Sequence, residues 1–441
     1  MKTLDHPGAL DTSYAGEGQA PVPGQNPQHP DRLLQVMSAT AGGDGSILCC
    51  GYSYGDLGRP VFVQLDSQGH FASDLGHVDI PSMCQPPVAT FGLNQFIELV
   101  HLGRPHEDDT LALSLPIQVT DDYLYSSLAI GRYTRQLKPK AGFGDNGIQF
   151  VAHSSAPDAP HPLKRACADI KPWRRAHRRD FTHAITPLDL PRAALIDDTL
   201  KVIYRETASD AFGSVLASTY LAHFEADSGR LLQCHRIVID EQSPLLYDAA
   251  FLEDGRILLL GQVGPTAYLT RLASDGTIDQ TFGMQGLVEV PGGGYLGMAT
   301  SGQSIVVTQA PPWQPAGYAS TVYHYTSEGQ FDPDFNGGTP LKVAPSTPAS
   351  TLRLYRAAFD GQGTIVLAGA QGKADSGVIE SSLCVVRLRA SGTLDTGFGD
   401  GGYALGPDGM ISGDGLYVHQ DGIRLLTQAN NADSYIVKRH V

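Results

Sequence analysis

The sequence predicts an all-β protein: a seven-bladed β-propeller closed by pairing of its N- and C-terminal segments within one blade. Three observations predict it. The first is composition: 50 glycines and 29 prolines in 441 residues, with apolar residues at 41% and charged residues at only 17%. A glycine inside a helix costs about 1 kcal/mol against alanine, so this load does not suit a helix bundle. The apolar fraction is too high for a disordered chain. The second is a unit of strand, loop, strand and glycine turn that recurs along the chain. The third is that one such unit is split between the two ends.

The clearest unit runs from Asp254 to Gly286. Asp254-Gly255 opens a hairpin, Ile257–Gly261 and Ala267–Leu272 read as strands, and Asp275–Gly286 carries Asp-Gly, Ile-Asp and Phe-Gly turns. Asp-Gly and Ser-Gly pairs supply the positive φ that tight turns need. Further copies hold Thr364–Gly369, Cys384–Leu388 and Ser391–Gly402; Ser304–Val307, Val322–Tyr325 and Glu328–Gly338; and Asp44–Gly51, Val61–Leu65 and Ser67–Phe71. Each unit has a polar anchor in its later strand: Gln64, Arg132, His223, Arg271, His324, Arg387 and Lys438, spaced 48 to 91 residues apart.

The last unit stops at Tyr435–Val441, before its Leu-Asp turn. That turn stands at the other end of the chain, as Leu10-Asp11 followed by Tyr14 and Gly18. A split unit closes a ring, whereas a linear solenoid needs a cap at each end. Closure also removes sheet edges that invite aggregation. The chain therefore reads as one domain, residues 1–441.

These motifs resemble the delta-60 repeat family of bacterial propeller proteins, whose units run Asp-Gly-x-Ile-Leu-Val-x-Gly, an apolar strand ending Arg-Leu/Tyr, and Asp-Gly-x-Leu-Asp-x-x-Phe-Gly-x-x-Gly. The units ending at Gly286, Gly338 and Gly402 match well. The unit of Arg132 keeps Gly142–Gly147 but lacks the first Asp-Gly turn, and that of His223 keeps only its strand and Asp227–Gly229. The resemblance implies a fold and no single activity. Within the repeat, the turn aromatics Phe143, Phe282, Phe335, Phe398 and Tyr14 are expected to pack between blades. Arg271 is expected to pair with Asp279, and Arg387 with Asp395.

Three motifs mimic active sites. Gly51–Gly55 fits G-x-S-x-G, but another strand follows where a nucleophile elbow needs a helix. Gly292–Gly297 fits G-x-G-x-x-G without a βαβ setting, so it reads as a turn between blades. Asp332, Asp334 and Asn336 mimic half a calcium loop, but the twelfth position is Val343. No metal site and no cofactor are expected. The net charge of −15 argues against nucleic acid, which needs a basic face. No apolar run is long enough to span a membrane. Six scattered cysteines and the absence of a signal peptide fit reduced thiols in a cytoplasm, with leaderless export as the other route.

The longest anchor interval contains an insertion at 152–190. Residues 158–184 hold seven Lys/Arg against three Asp, a local excess of +4. After Pro172, a helix would place Trp173, His177 and Phe181 on one face and Arg174, Arg175, Arg178 and Arg179 on the others. The segment Val100–Leu124 reads as a long loop, and Trp313 lies in a proline-rich loop. The leading expectation is a monomeric, non-catalytic platform. It would bind a protein partner or a glycan through Trp173, Arg174, Arg175, His177, Arg178, Arg179 and Trp313, with no catalytic residues. The alternative is an enzyme, a hydrolase or lyase, with its site at the mouth of the central channel. Three or more His, Asp or Glu converging there would favour the enzyme.

Overall fold

The computed structural model describes residues 6–23, 35–42, 44–52, 60–72, 78–79, 94–104, 107–119, 123–126, 128–151, 191–210, 215–239, 241–292, 294–312, 317–361, 363–375, 378–428 and 434–441. They form a seven-bladed propeller of antiparallel strands. Blade 1 holds Gln35–Ala41, Ile47–Tyr52, Pro60–Leu65 and Val78–Asp79. Blade 2 holds Asn94–Arg104, Glu107–Val119, Leu128–Tyr133 and Ile148–Val151; blade 3 holds Arg192–Ile196, Thr199–Asp210, Val215–Glu225 and Leu231–Arg236. Blade 4 holds Leu245–Phe251, Ile257–Val263, Thr266–Leu272 and Leu287–Val290; blade 5 holds Tyr295–Ser301, Ser304–Ala310, Ser320–Thr326 and Leu341–Val343. Blade 6 holds Thr351–Phe359, Ile365–Asp375, Val378–Leu388 and Tyr403–Asp408. Blade 7 holds Met410–His419, Gly422–Gln428 and Ser434–Arg439, and its fourth strand is Gln19–Pro21, with Gln19 opposite Val437. No described helix is long and apolar enough to cross a membrane.

The first strand of each blade touches the first strands of both neighbours, and that of blade 7 touches that of blade 1. Seven apolar clusters fill the spaces between blades, one per interface. Leu258, Phe282 and Tyr325 join blades 4 and 5, for example, and Tyr14, Val63 and Ile436 join blades 7 and 1. The second strands carry this core because their apolar runs are buried on both faces, as Ile257–Leu260 are.

The anchors fasten one blade to the next. Arg271, 1% exposed, donates from Nε to Asp279 at 2.8 Å and from Nη1 to the Ser327 carbonyl of blade 5 at 2.6 Å. Arg387 meets Asp395 at 2.7 Å, and Lys438 meets Asp11 at 2.9 Å across the split blade. His324 stands 3.1 Å from Asp332. In blade 2 the Leu-Asp turn is replaced by Pro139-Lys140, and Asp109 on the second strand supplies the carboxylate for Arg132 at 2.9 Å. The turn aromatics lie beside these cations: the Arg271 and Arg387 guanidiniums sit 5.1 and 4.8 Å from the Phe282 and Phe398 ring centres. Each ring then fills the space over a glycine of the next blade's turn. At Gly392, with φ of 83°, a Cβ would come 3.1 Å from Phe335, so the residue must be glycine for conformation and for space.

Val100–Leu124 is not a loop. It forms a long hairpin of Asn94–Arg104 and Glu107–Val119, with His101 opposite Thr110 and Leu102 opposite Asp109. Its polar residues alternate with apolar ones, which is the period of a strand. A further strand, Tyr123–Ser126, pairs with both Glu107–Val119 and Thr199–Asp210 and joins blades 2 and 3 into one nine-stranded sheet.

Antiparallel order assigns the connections to two faces. Turns from first to second and from third to fourth strands lie on one face. Those from second to third strands, and those from blade to blade, lie on the other.

Candidate functional site

The innermost strands enter the ring from the face of the long connections. Several carry a bulge, with register shifts at Val36/Ser38, Leu246/Asp248 and Leu354/Arg356. A bulge adds one residue and re-aims the side chain beside it. Here Tyr247 and Tyr355 are the added residues. The Tyr355 hydroxyl accepts from the Ile411 amide of blade 7 at 3.1 Å. With these bulges, corresponding residues stand at one height on six of the seven first strands. Asp248 is opposite Leu260, Arg356 opposite Ala368, Ser38 opposite Cys50, Arg192 opposite Ile203, Glu98 opposite Leu113 and Gly297 opposite Thr308. In blade 7, Asp414 falls in the longer bulge between Ile411 and Leu416.

Around the axis this layer reads Ser38, Glu98, Arg192, Asp248, Gly297 and Arg356 in blades 1 to 6. Two carboxylate residues and two arginines share one height of the innermost strands. Asp248 shows how closely the strands converge. Its Oδ1 accepts from Arg192 Nε of blade 3 at 3.0 Å and from the Ala249 amide at 2.9 Å. Its Oδ2 accepts from the Met298 amide of blade 5 at 3.3 Å. One carboxylate thus ties three blades together. Ser38 does the same for two, its Oγ accepting from the Leu99 amide at 3.1 Å. The exposed edge of an innermost strand would otherwise leave these amides without protein partners.

One step nearer the long connections, Tyr295 and Arg353 occupy matching positions in blades 5 and 6, opposite Ala310 and Ala370. The Arg353 guanidinium lies 4.6 Å from the Tyr295 ring centre. Burial lowers the arginine's pKa from its ordinary value, and the Tyr295 and Tyr355 phenols work against that shift. Arg353 is 7% exposed while Tyr295 is 46% exposed.

Trp173, Arg174, Arg175, His177, Arg178, Arg179 and Trp313 lie outside the described residues, as does the helix expected after Pro172. Of the motifs that mimic active sites, Gly292 and Gly294 precede the first strand of blade 5, which Tyr295–Gly297 begin. Asp332–Asn336 is a turn in which Asp332 Oδ1 accepts from the Asp334 amide at 2.9 Å. Ser53–Gly55 lie outside the described residues. Among the described cysteines, Cys49, Cys50, Cys234 and Cys384 are free thiols, and burial pushes Cys49 up to about 12.

Sequence reasoning did not select the axial layer. A signal was present: Leu246-Tyr-Asp-Ala-Ala-Phe251 and Leu354-Tyr-Arg-Ala-Ala-Phe359 share every residue except the charged one. A charge in an otherwise repeated apolar strand marks a position that the fold alone does not dictate.

The family model described as a domain of unknown function (DUF5122) β-propeller matches residues 252–282 and 363–398, within the repeats of blades 4 and 6. No curated protein matches the sequence. Among solved structures, a protein of unknown function from Dyadobacter fermentans is similar at 12% identity, covering 83% of this chain and 97% of that one, with a TM-score of 0.43. The GH93 α-L-arabinofuranosidase of Fusarium graminearum is similar at 10% identity, covering 95% and 97%, with a TM-score of 0.40. The NanB sialidase of Streptococcus pneumoniae is similar at 8% identity, covering 93% of this chain and 70% of that one, with a TM-score of 0.38. These likenesses concern the fold. The expectation of a non-catalytic platform is corrected in one respect: the similar propellers include glycosidases.

Proposed function

We propose that this protein is a hydrolase whose site lies on the propeller axis, opening to the face of the long connections. One observation carries the reading: equivalent positions on four of the seven innermost strands hold Glu98, Arg192, Asp248 and Arg356, and Asp414 falls in the bulge of a fifth. A ring that needed only stability would be served as well or better by apolar side chains there, because charges withdrawn from water cost several kcal/mol each. Asp248 is occupied by its clamp to Arg192 and Met298. Glu98 and Asp414 belong to the two innermost strands beside that of Ser38, and we assign them the acid and base work. One protonates the leaving group while the other activates water or attacks the reacting carbon. Arg192 and Arg356 offset the negative charge between them. We read the repeat as the delta-60 type and residues 1–441 as one domain. The basic segment of Trp173, Arg174, Arg175, His177, Arg178 and Arg179, and Trp313, remain substrate-contact candidates.

The test is turnover of a panel of nitrophenyl glycosides, esters and phosphates by the wild type and by Glu98→Gln and Asp414→Asn. The reading expects hydrolysis of at least one class and a loss of about 100-fold or more in each variant. No turnover by the wild type, or unchanged turnover in both variants, would contradict it.

A further inference from the structure

The glycine motif at 292–297 has no dinucleotide to bind, yet its geometry is specific. Gly292 and Gly294 have φ of 88° and 125°. A Cβ on Gly292 would stand 2.7 Å from the Gln309 amide nitrogen, and one on Gly294 2.4 Å from the Ala310 carbonyl. Gly292 and Gly294 therefore pack closely against the second strand of blade 5. The turn is held there by the Pro291 carbonyl, which accepts from Gln309 Nε2 at 2.9 Å and from the Tyr323 hydroxyl at 2.8 Å. The next residue it delivers is Tyr295, at the axial mouth of blade 5.

Tyr295 is nearly half exposed, although its matching residue in blade 6, Arg353, is buried. The guanidinium of Arg353 lies against one face of the phenol ring. The ring stands within electrostatic reach of Tyr247 of blade 4, whose hydroxyl donates to Gln262. A half-exposed aromatic ring braced on one face by a cation suits a ligand with an apolar face and a polar rim. A sugar ring has that form, with C–H groups on its faces and hydroxyls around its edge. A cation behind the phenol fixes the ring in one orientation, so little rotamer freedom is lost on binding.

We infer that Tyr295, braced by Arg353 and presented by the Gly292–Gly294 turn, is a sugar-stacking platform that places a glycan over the axial layer. The inference rests on the axial hydrolase reading and names its substrate class. Tyr295 is here a positioning residue, not a catalytic one.

The experiment is calorimetric titration of the full chain with cellotetraose, xylotetraose, mannotetraose and arabinotetraose, using the Glu98→Gln/Asp414→Asn double variant wherever the wild type hydrolyses the probe. Binding of at least one probe is expected. Tyr295→Ala should weaken it about tenfold or more, equivalent to about 1.4 kcal/mol. Tyr295→Phe should bind as the parent does, because the ring face is kept. Unfolding midpoints of both variants should stay at the parent value. Absence of binding by every probe, or equal affinity in Tyr295→Ala, overturns the inference. Binding through Tyr295 without hydrolysis overturns the hydrolase reading alone, while hydrolysis with KM untouched by Tyr295→Ala overturns this inference alone.

Discussion

Arg271 and His223 hold equivalent anchor positions and bring opposite electrostatic problems. Arg271 is charged and buried, and it survives because Asp279, Glu328, Thr281 and the Ser327 carbonyl surround it. The Thr281 hydroxyl, then the Thr281 amide and Arg271, hold Asp279 down to about 2, against burial, which acts the other way. Replacing Asp279 by Asn should cost about 3 kcal/mol, the scale for uncoupling a buried cation, read as a lower urea midpoint. No change in that midpoint would show that Glu328 alone suffices. His223 has no matching carboxylate. Burial, with Lys201 and His235 nearby, pushes it down to about 4, while Asp275 pulls weakly the other way. A depressed histidine stabilises the fold when neutral. Its contribution is complete above the unfolded value near 6.5 and is lost as pH falls through about 4. Urea midpoints should therefore fall between pH 6.5 and 4 by on the order of 2 kcal/mol, and His223→Gln should flatten that slope. An unaltered slope would assign the effect elsewhere, His324 being the next buried histidine.

The strands show what holds one blade against the next. At the start of the third strand, Ser320 and Ser434 are fully buried, and their hydroxyls accept from the first-strand amides of the following blade, Leu354 at 2.7 Å and Val36 at 3.0 Å. Thr219 donates similarly to the Pro244 carbonyl at 2.6 Å. Ser320→Ala should cost about 1–3 kcal/mol, because the Leu354 amide is left buried without that acceptor. A thermal midpoint equal to the parent's would remove these hydroxyls from the account. Much of this level is legible in the sequence. Asp-Gly and Phe-Gly spacing marks the turns, and Arg271 with Asp279 can be paired from their positions alone. The hydroxyl clamps are not legible, because a serine in a strand looks the same whether it faces water or the next blade. Val100–Leu124 reads as a loop for a related reason: charged residues such as Asp109 look like a loop until Arg132 is placed beside them. The axial layer escaped because its residues differ from blade to blade, so the repeat that reveals the strands conceals the site.

At the scale of the molecule, blade 7 draws its fourth strand from the opposite end of the chain. Gln19–Pro21 covers Ile436 and Val437, which are fully buried, and Asp11 meets Lys438. Removing residues 1–23 should lower the thermal midpoint by about 10 °C or more and promote aggregation through the freed edge. A circular permutant that joins the termini and opens the chain at 346–349 should keep the parent midpoint. If the truncated chain melted like the full one, the terminal strand would not be a working part of the ring. Closure matters for function because the axial layer exists only when seven first strands meet.

The central claim is that this axis, on the face of the long connections, is where the protein acts. The most direct test is a crystal structure of the Glu98→Gln/Asp414→Asn variant soaked with the oligosaccharide that binds it most tightly. The account predicts a sugar ring stacked on Tyr295, with the chain leading toward Ser38 and Arg192. A ligand seated on the face of the Asp-Gly and Phe-Gly turns, or on the outer strands, would contradict it.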